Sequence, residues 1–132
     1  MRFMAIIKAD DKTEAGVMPS EAQITAMWKF NEEAGKSGVL LAAEGLYPST
    51  TGARVHLKND KTTVTDGPFT ETKELIAGYW LLDVKSLDEA LEWVKSMPTH
   101  EGQDTVIEVR RVVEAADFAD EFTPELREQI GQ

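Results

Sequence analysis

The chain has 132 residues, of which 42% are hydrophobic and 29% are charged, a composition typical of one soluble globular domain with a real core. Its formal net charge of −10 repels nucleic acid phosphates and anionic lipid, so we expect neither a nucleic acid nor a membrane as a partner. The absence of cysteine excludes disulfides, thiolate catalysis and cysteine-based zinc sites. The N-terminal apolar stretch is too short for a signal peptide, so we expect a cytoplasmic protein.

The first third of the chain predicts a strand, a loop and a helix. Residues 2–8 are rich in Phe, Ile and Met and favour a strand, and residues 9–19 are expected to form a polar loop. Ser20 and Gln23 form a capping-box pattern that begins a helix, and Gly38 is expected to end it. The residues at helical spacing that we expect in the core are Ile24, Met27, Trp28 and Ala34.

The middle of the chain predicts a short strand followed by a β-hairpin. The strand covers residues 39–43 and ends at Glu44. Residues 53–58 alternate between apolar and polar side chains, residues 59–61 are typical of a turn, and residues 62–65 favour a return strand.

Residues 75–84 carry the strongest strand pattern, and they are apolar on both faces. The first strand, residues 2–8, shows the same property. A strand that is buried on both faces needs cover on both sides, and two helices can cover only one face of so small a sheet. A partner subunit is the simplest source of the second layer, so we expect a homodimer.

A second helix and a last strand complete the domain. Ser86 and Glu89 form another capping-box pattern, Pro98 ends the helix, and residues 105–113 favour a strand. The order β-α-β-hairpin-β-α-β is the ferredoxin-like split βαβ pattern with an inserted hairpin. The predicted fold class is therefore α+β, in one domain over residues 1–113.

Residues 114–132 are predicted to form a separate tail. Thr123 and Pro124 are good first residues for a short helix, which is marginal by itself and is expected to dock on the dimer. The apolar residues that fall on one stripe of the tail are Phe118, Phe122, Leu126 and Ile130.

One run, residues 66–74, combines a turn with a dense group of charges. Asp66, Gly67 and Pro68 favour a tight turn, and Phe69 is expected to anchor it. One interpretation is a rigid turn in which the Asp66 side chain caps its own backbone. The other is that Asp66 acts as an acid or a base at the mouth of a cavity.

The charged side chains that follow the turn also have two interpretations. Glu71 and Lys73 form either a solvated segment with weak ion pairs or a cluster that binds a polar ligand. Glu44, Glu108 and Arg110 lie on predicted strands. They belong either to water-exposed edges or to the lining of a polar cavity inside a barrel.

The sequence predicts no metal site and no cofactor. His56 alternates with charged residues and is expected to be exposed, and His100 beside Glu101 is either a proton shuttle or a solvated loop histidine. Neither histidine has a second histidine at ligand spacing. No glycine-rich nucleotide motif and no serine-hydrolase motif is present.

The run DGPFTETKE at residues 66–74 resembles the signature of the DGPF branch of the YCII-related proteins, DGPFAETKE, with one substitution. Gly78-Tyr79, residues 86–90 and residues 108–110 also resemble that branch, and the likeness extends over residues 1–113. The resemblance implies a dimeric α+β barrel in which two sheets pack face to face. It also implies either a small, aromatic-derived metabolite as substrate or an association with extracytoplasmic-function sigma factors.

One family feature is missing. Several relatives carry a histidine in the first helix, paired with an aspartate, whereas residues 21–36 contain no histidine. Any catalysis would therefore rest on carboxylates.

Three functions remain open from the sequence. The first is an enzyme or binder of a small polar or acidic molecule at the barrel cavity, with Asp66 and Glu44 as acid–base groups. The residues expected to bind its ligand are Arg110, Glu108, Tyr79, Phe69, Glu71 and Lys73. The second is a non-catalytic interaction or regulatory module, and the third is a stable dimer in which the motif is purely architectural.

Overall fold

A computed structural model describes residues 1–98, 104–118 and 123–129. The strands in these ranges are β1 (Arg2–Lys8), β2 (Leu40–Gly45), β3 (Ala53–Lys58), β4 (Lys61–Asp66), β5 (Ile76–Asp83) and β6 (Ile107–Arg111). The helices are α1 (Asp11–Glu14), α2 (Glu21–Lys36), α3 (Leu87–Lys95) and α4 (Pro124–Gln129). Short 3₁₀ turns occur at Ser49–Thr51, Thr72–Glu74 and Ala115–Phe118.

The strands form two sheets. Four of them make an antiparallel sheet in the order β2-β5-β1-β6, and β3 and β4 form a separate hairpin. With α2 and α3 as the connections, this order is that of a ferredoxin-like α+β fold with an inserted hairpin, which confirms the predicted class. Within the described ranges, every helix is too short or too polar to cross a membrane.

Local hydrogen bonds explain where the two long helices begin. The Ser20 hydroxyl accepts from the Gln23 amide at 3.2 Å, and the Gln23 side chain accepts from the Ser20 amide at 2.7 Å, which is the predicted capping box. Ser86 caps α3 by accepting from the Glu89 amide at 3.1 Å. The reciprocal bond is displaced by one residue, because the Glu89 carboxylate accepts from the amide of Lys85 at 2.8 Å.

The helix α1 lies where a polar loop was expected, and that expectation was wrong. Asp10 caps this single turn by accepting from the Thr13 amide at 2.8 Å, while the Thr13 hydroxyl accepts from the Asp10 amide at 2.9 Å. A one-turn helix has too few residues to show an apolar period, so hydrophobic patterning did not reveal it.

The core lies between the four-stranded sheet and the helices α2 and α3. Phe30 of α2 is its aromatic centre, with its ring edge-to-face to Trp80 at 6.3 Å and to Trp93 at 6.1 Å between centroids. The buried residues of this core are Phe3, Ala5, Phe30, Ala34, Trp80, Leu82, Val84, Ala90 and Met97.

Two of the residues predicted for the core stripe of α2 lie outside the core. Trp28 is 70% exposed and Ile24 is 50% exposed. The helix instead faces the sheet through Met27, Phe30 and Ala34, which are themselves three and four residues apart. Around the helix, Ile24 lies about 90° and Trp28 about 130° from the centre of this stripe, so both side chains point away from the sheet.

The opposite side of the four-stranded sheet, here called the outer face, is also partly apolar. Met4 and Ile6 of β1 and Tyr79 and Leu81 of β5 alternate with the buried core residues and are half-buried. These are the strands predicted to be apolar on both faces.

The segment after β6 is held to the first strand by an ion pair. The Arg2 guanidinium donates two hydrogen bonds to the Glu114 carboxylate, at 2.6 Å and 3.0 Å. This contact lowers the pKa of Glu114 below its usual 4.5, chiefly through the hydrogen bond from Arg2. The tail residues Phe122 and Ile130, together with His100 and Glu101, lie outside the described residues, and Phe118 is exposed.

We expect Glu114→Gln to lower the melting temperature between pH 6 and 8 and to have a smaller effect at pH 3. A carboxyl group whose pKa is lowered by folding stabilises the protein above its unfolded pKa, and this contribution is lost as the pH falls through the folded pKa. The difference in melting temperature should therefore begin to shrink below about pH 4.5. Glu92→Gln, at an exposed pair with Lys95, is the control, and a difference at pH 3 as large as that at pH 7 would contradict the assignment.

Candidate functional site

The strand register places several of the predicted site residues in one row across the outer face. Glu44 of β2 pairs with Tyr79 of β5, Tyr79 pairs with Ile6 of β1, and Ile6 pairs with Glu108 of β6. The next row contains Ala42, Leu81, Met4 and Arg110. The sheet therefore presents two carboxylates, a phenol and a guanidinium on the same face.

The two carboxylates of this row are far apart within one chain. Three strand spacings separate Glu44 from Glu108, which amounts to about 14 Å. Glu108 and Arg110 form a loose pair, 4.0 Å between Oε2 and Nε, with both side chains largely exposed. Such a pair contributes little to stability in water, so these charges are available to a ligand or a partner.

The turn at Gly67 is packed against another turn of the chain. The Gly67 amide donates to the Gly52 carbonyl at 2.9 Å, and the Gly67–Pro68 peptide bond is cis. A Cβ atom on Gly67 would lie 1.8 Å from the carbonyl oxygen of Ser49. Only glycine allows the two backbones to approach so closely.

Ser49, rather than Asp66, caps this turn. The Phe69 amide donates to the Ser49 hydroxyl at 3.0 Å, and that hydroxyl donates to the Glu14 carboxylate at 2.5 Å. The Ser49 amide donates to the same carboxylate at 3.0 Å. The Asp66 side chain is exposed and has no hydrogen bond to a described residue, so the structure does not show the self-capped turn.

Sequence reasoning missed Ser49 and Glu14. The contact between them joins residues 35 positions apart, and neither belongs to a recognisable motif. The role of Ser49 and Glu14 is structural, because their hydrogen bonds connect the run at residues 66–74 to the helix α1.

The remaining predicted residues of the run lie on the surface. The Arg54 guanidinium stacks on the Phe69 ring at 3.9 Å from its centroid, and its Nη2 lies 3.5 Å from Glu74. Phe69 is half-buried here and does not enter the core. Glu71 and Lys73 are exposed, and neither forms an ion pair with a residue that the structure describes.

A cleft of about 740 Å³ opens between α1 with its following loop, the helix α2 and one end of the sheet. Its lining consists of Lys12, Thr13, Val17, Met18, Pro19, Ser20, Gln23, Ile24, Met27, Trp28, Asn31, Gly45 and Ala77. None of the residues predicted for the site lies in this lining. Sequence reasoning missed the cleft because it assigned Ile24 and Trp28 to the core and residues 9–19 to a loop.

The described residues contain no group of three or more His, Cys, Asp or Glu side chains placed to hold a metal ion. His100 is not among those residues.

The chain is 37% identical over 87 residues to an uncharacterized protein of Rhizobium meliloti (strain 1021), an alignment that covers 66% of this chain and 68% of that protein. It is also similar to the solved structure of 5-chloro-2-hydroxyhydroquinone dehydrochlorinase from Burkholderia phenoliruptrix AC1100 in complex with 2,5-dihydroxybenzoquinone. That likeness covers 89% of this chain and 98% of the other at 13% identity, with a TM-score of 0.46. The family model of the YCII-related domain matches residues 1–116, and the chain therefore belongs to the YCII-related family.

Proposed function

We propose that this YCII-related protein binds a small polar or acidic molecule on the outer face of its sheet and transforms it by carboxylate acid–base chemistry. The observation that carries this proposal is the row in which Glu44, Tyr79 and Glu108 share one face, with Arg110 in the next row. Charges on a partly apolar sheet face are costly to cover unless they meet a ligand or an opposite charge. We further infer, from the run DGPFTETKE, that the chain belongs to the DGPF branch.

In this proposal a second copy covers the outer face and closes a dimeric barrel. Met4, Ile6 and Leu81 are apolar and only half-buried in a single chain, which favours a second layer. The distance of about 14 Å between Glu44 and Glu108 prevents them from sharing a proton within one chain. A facing copy would supply a second carboxylate to each site and exclude water from it, a setting suited to general acid–base catalysis.

The proposed roles follow from chemistry and placement. Glu44 and Asp66 are the acid–base groups, and Asp66 is available because its carboxylate is exposed and not hydrogen-bonded to a described residue. Arg110 holds an anionic group of the ligand, and Tyr79 and Glu108 bind its polar atoms. The rim contacts proposed for the ligand are Phe69, Glu71 and Lys73.

Titration with succinate and malate, followed by amide chemical shifts, tests this function. We expect shifts in β2, β5 and β6, and a dimer by light scattering. Arg110→Ala should weaken binding about tenfold or more, because a hydrogen bond to a charged group contributes about 1.5–3 kcal/mol. Arg111→Ala is the matched control, since strand alternation places it on the opposite face of β6.

Two results would contradict the proposal. One is a chain that stays monomeric at the concentrations used for the titration. The other is equal weakening of succinate binding by Arg110→Ala and Arg111→Ala, which would show only general attraction of the anion.

The hairpin favours a second candidate function, a non-catalytic interaction module. Val55 and Val64 face each other across β3 and β4, and both are exposed, as is Leu57. An isolated two-stranded hairpin is marginally stable, and exposed apolar side chains often mark an interface. This candidate predicts that a purified extracytoplasmic-function sigma factor binds the chain and that Val55→Thr with Leu57→Thr abolishes binding, whereas Arg110→Ala does not.

A further inference from the structure

We propose that the cleft between α1 and α2 is a separate ligand site, which takes a small molecule with a flat apolar body and an anionic or carbonyl acceptor group. It shares no residue with the site proposed on the outer face. The proposal rests on the volume of the cleft, on the hydrogen-bonding character of its polar side chains and on the absence of acidic side chains among the described residues of its lining.

The size and walls of the cleft suit a small organic molecule. Its volume of about 740 Å³ falls within the range of about 300–1,000 Å³ that is typical of ligand pockets. Trp28 and Met18 lie in the lining and are 70% and 79% exposed, although both are large apolar side chains. The indole of Trp28 offers a flat surface, and the thioether of Met18 offers an adaptable, polarizable one. Both pack well against an aromatic or alicyclic ring.

Two amide side chains of the lining, those of Asn31 and Gln23, present free hydrogen-bond donors. The indole nitrogen of Trp80 can only donate, so its 3.0 Å bond to Asn31 fixes the Asn31 oxygen toward Trp80. The Ser20 amide fixes the Gln23 oxygen in the same way at 2.7 Å. In both side chains the amide NH₂ remains without a hydrogen bond to a described residue, and it can donate only to an acceptor.

The charge of the lining points to the same class of ligand. The chain has 24 Asp and Glu residues and a net charge of −10, yet none of those that the structure describes lines the cleft. Lys12 is the charged residue of the lining, and it forms no ion pair with a described residue. A carboxylate or phenolate would satisfy these donors, whereas a cation or a donor-rich molecule would leave them unpaired.

The hydrogen bonds around Ser49 support one wall of the cleft from outside its lining. Glu14 ends α1, and its carboxylate accepts from the Ser49 amide and hydroxyl, while that hydroxyl accepts from the Phe69 amide. Lys12 and Thr13 lie on the same short helix and line the cleft. The hydrogen bonds of Glu14 therefore position the wall that carries Lys12, the cationic side chain among the described residues of the lining.

Binding of two naphthalene probes of opposite charge tests the proposal by calorimetry and tryptophan fluorescence. We expect 1-naphthoate to bind with one site per chain and 1-naphthylmethylammonium to bind at least about tenfold more weakly. Trp28→Ala should abolish binding of 1-naphthoate, and Lys12→Gln should weaken it about fivefold. Lys29→Gln, which makes the same charge change on α2 outside the lining, should leave it unchanged.

Asn31→Asp gives the sharpest version of the test. The substitution keeps an oxygen for the Trp80 indole and replaces the free NH₂ donor by a second carboxylate oxygen, so the fold should be retained. We expect 1-naphthoate binding to fall at least about tenfold and 1-naphthylmethylammonium binding to rise. A circular dichroism melting curve close to that of the unaltered protein verifies that the variant is folded.

Three outcomes would overturn the proposal. Equal binding of the two probes would show an apolar surface without selection for charge. An unchanged preference in Asn31→Asp would show that the amide does not meet the ligand. Absence of 1-naphthoate binding, combined with a dimer that Trp28→Ala converts to a monomer, would show that a second copy occupies the cleft.

Discussion

Leu82→Ala is expected to lower the free energy of unfolding by about 3–4 kcal/mol. Leu82 lies in β5, an inner strand of the four-stranded sheet, and its side chain is completely buried against α2 and α3 in the core. Removing a buried leucine loses the transfer free energy of its methyl groups and leaves a cavity that a packed core fills only in part. Urea unfolding measures the effect as a lower midpoint at an unchanged slope.

Leu81→Ala is the matched control, because the neighbouring leucine points to the outer face and is half-buried in one chain. For an isolated chain we expect a loss of about 1 kcal/mol that does not depend on protein concentration. If a second copy covers the outer face, the loss should be larger and should depend on concentration, since unfolding is then coupled to dissociation. A loss for Leu82→Ala no greater than that for Leu81→Ala in the isolated chain would contradict the assignment of the core face.

Gly67→Ala is the second substitution for which we expect a large effect, about 3 kcal/mol of lost stability. The added Cβ would lie 1.8 Å from the Ser49 carbonyl oxygen and 2.7 Å from its carbon. Both atoms belong to the backbone, so no side-chain rotation relieves the overlap. The turn must instead move away from Ser49, which breaks the bonds from the Phe69 amide to Ser49 and from the Gly67 amide to Gly52.

Two neighbouring substitutions separate this packing effect from other roles of the run. A Cβ on Gly52 would make an ordinary contact at 3.6 Å with the Ser49 oxygen, so Gly52→Ala should cost less than about 1 kcal/mol. Asp66→Asn changes an exposed side chain and should alter stability by no more than about 0.5 kcal/mol. Thermal unfolding of the three variants distinguishes them, and equal losses for Gly67→Ala and Gly52→Ala would show that the close approach does not matter.

Local sequence patterns were sufficient to predict the order of the main helices and strands. Ser20 and Ser86 each begin a helix because a cap is satisfied by residues three positions away, inside the same few residues that the pattern contains. The hairpin pairs Ala53–Lys58 with Lys61–Asp66, as alternation and turn composition predicted. The one-turn helix at Asp11–Glu14 was missed because four residues make a single turn and cannot repeat the apolar period that identifies a helix.

The site depended on contacts that no local pattern contains. Alternation places Glu108 and Arg110 on one face of a strand, but only the register shows that Glu108 shares a row with Tyr79 and Glu44. The support of the Gly67 turn by Ser49 joins two distant segments, and neither sequence position predicts the other.

The helix α2 shows most clearly which properties can be predicted from the sequence and which depend on tertiary packing. An amphipathic helix at residues 21–36 within a YCII-related domain can be predicted from sequence, because capping, helical periodicity and the run at residues 66–74 each involve residues close together in the chain. The packing of Phe30 on Trp80 and the position of Trp28 in a cleft depend on how the helix lies on the sheet. The physical reason is that both positions suit an apolar stripe, and the sheet against which the helix packs selects which of them is buried.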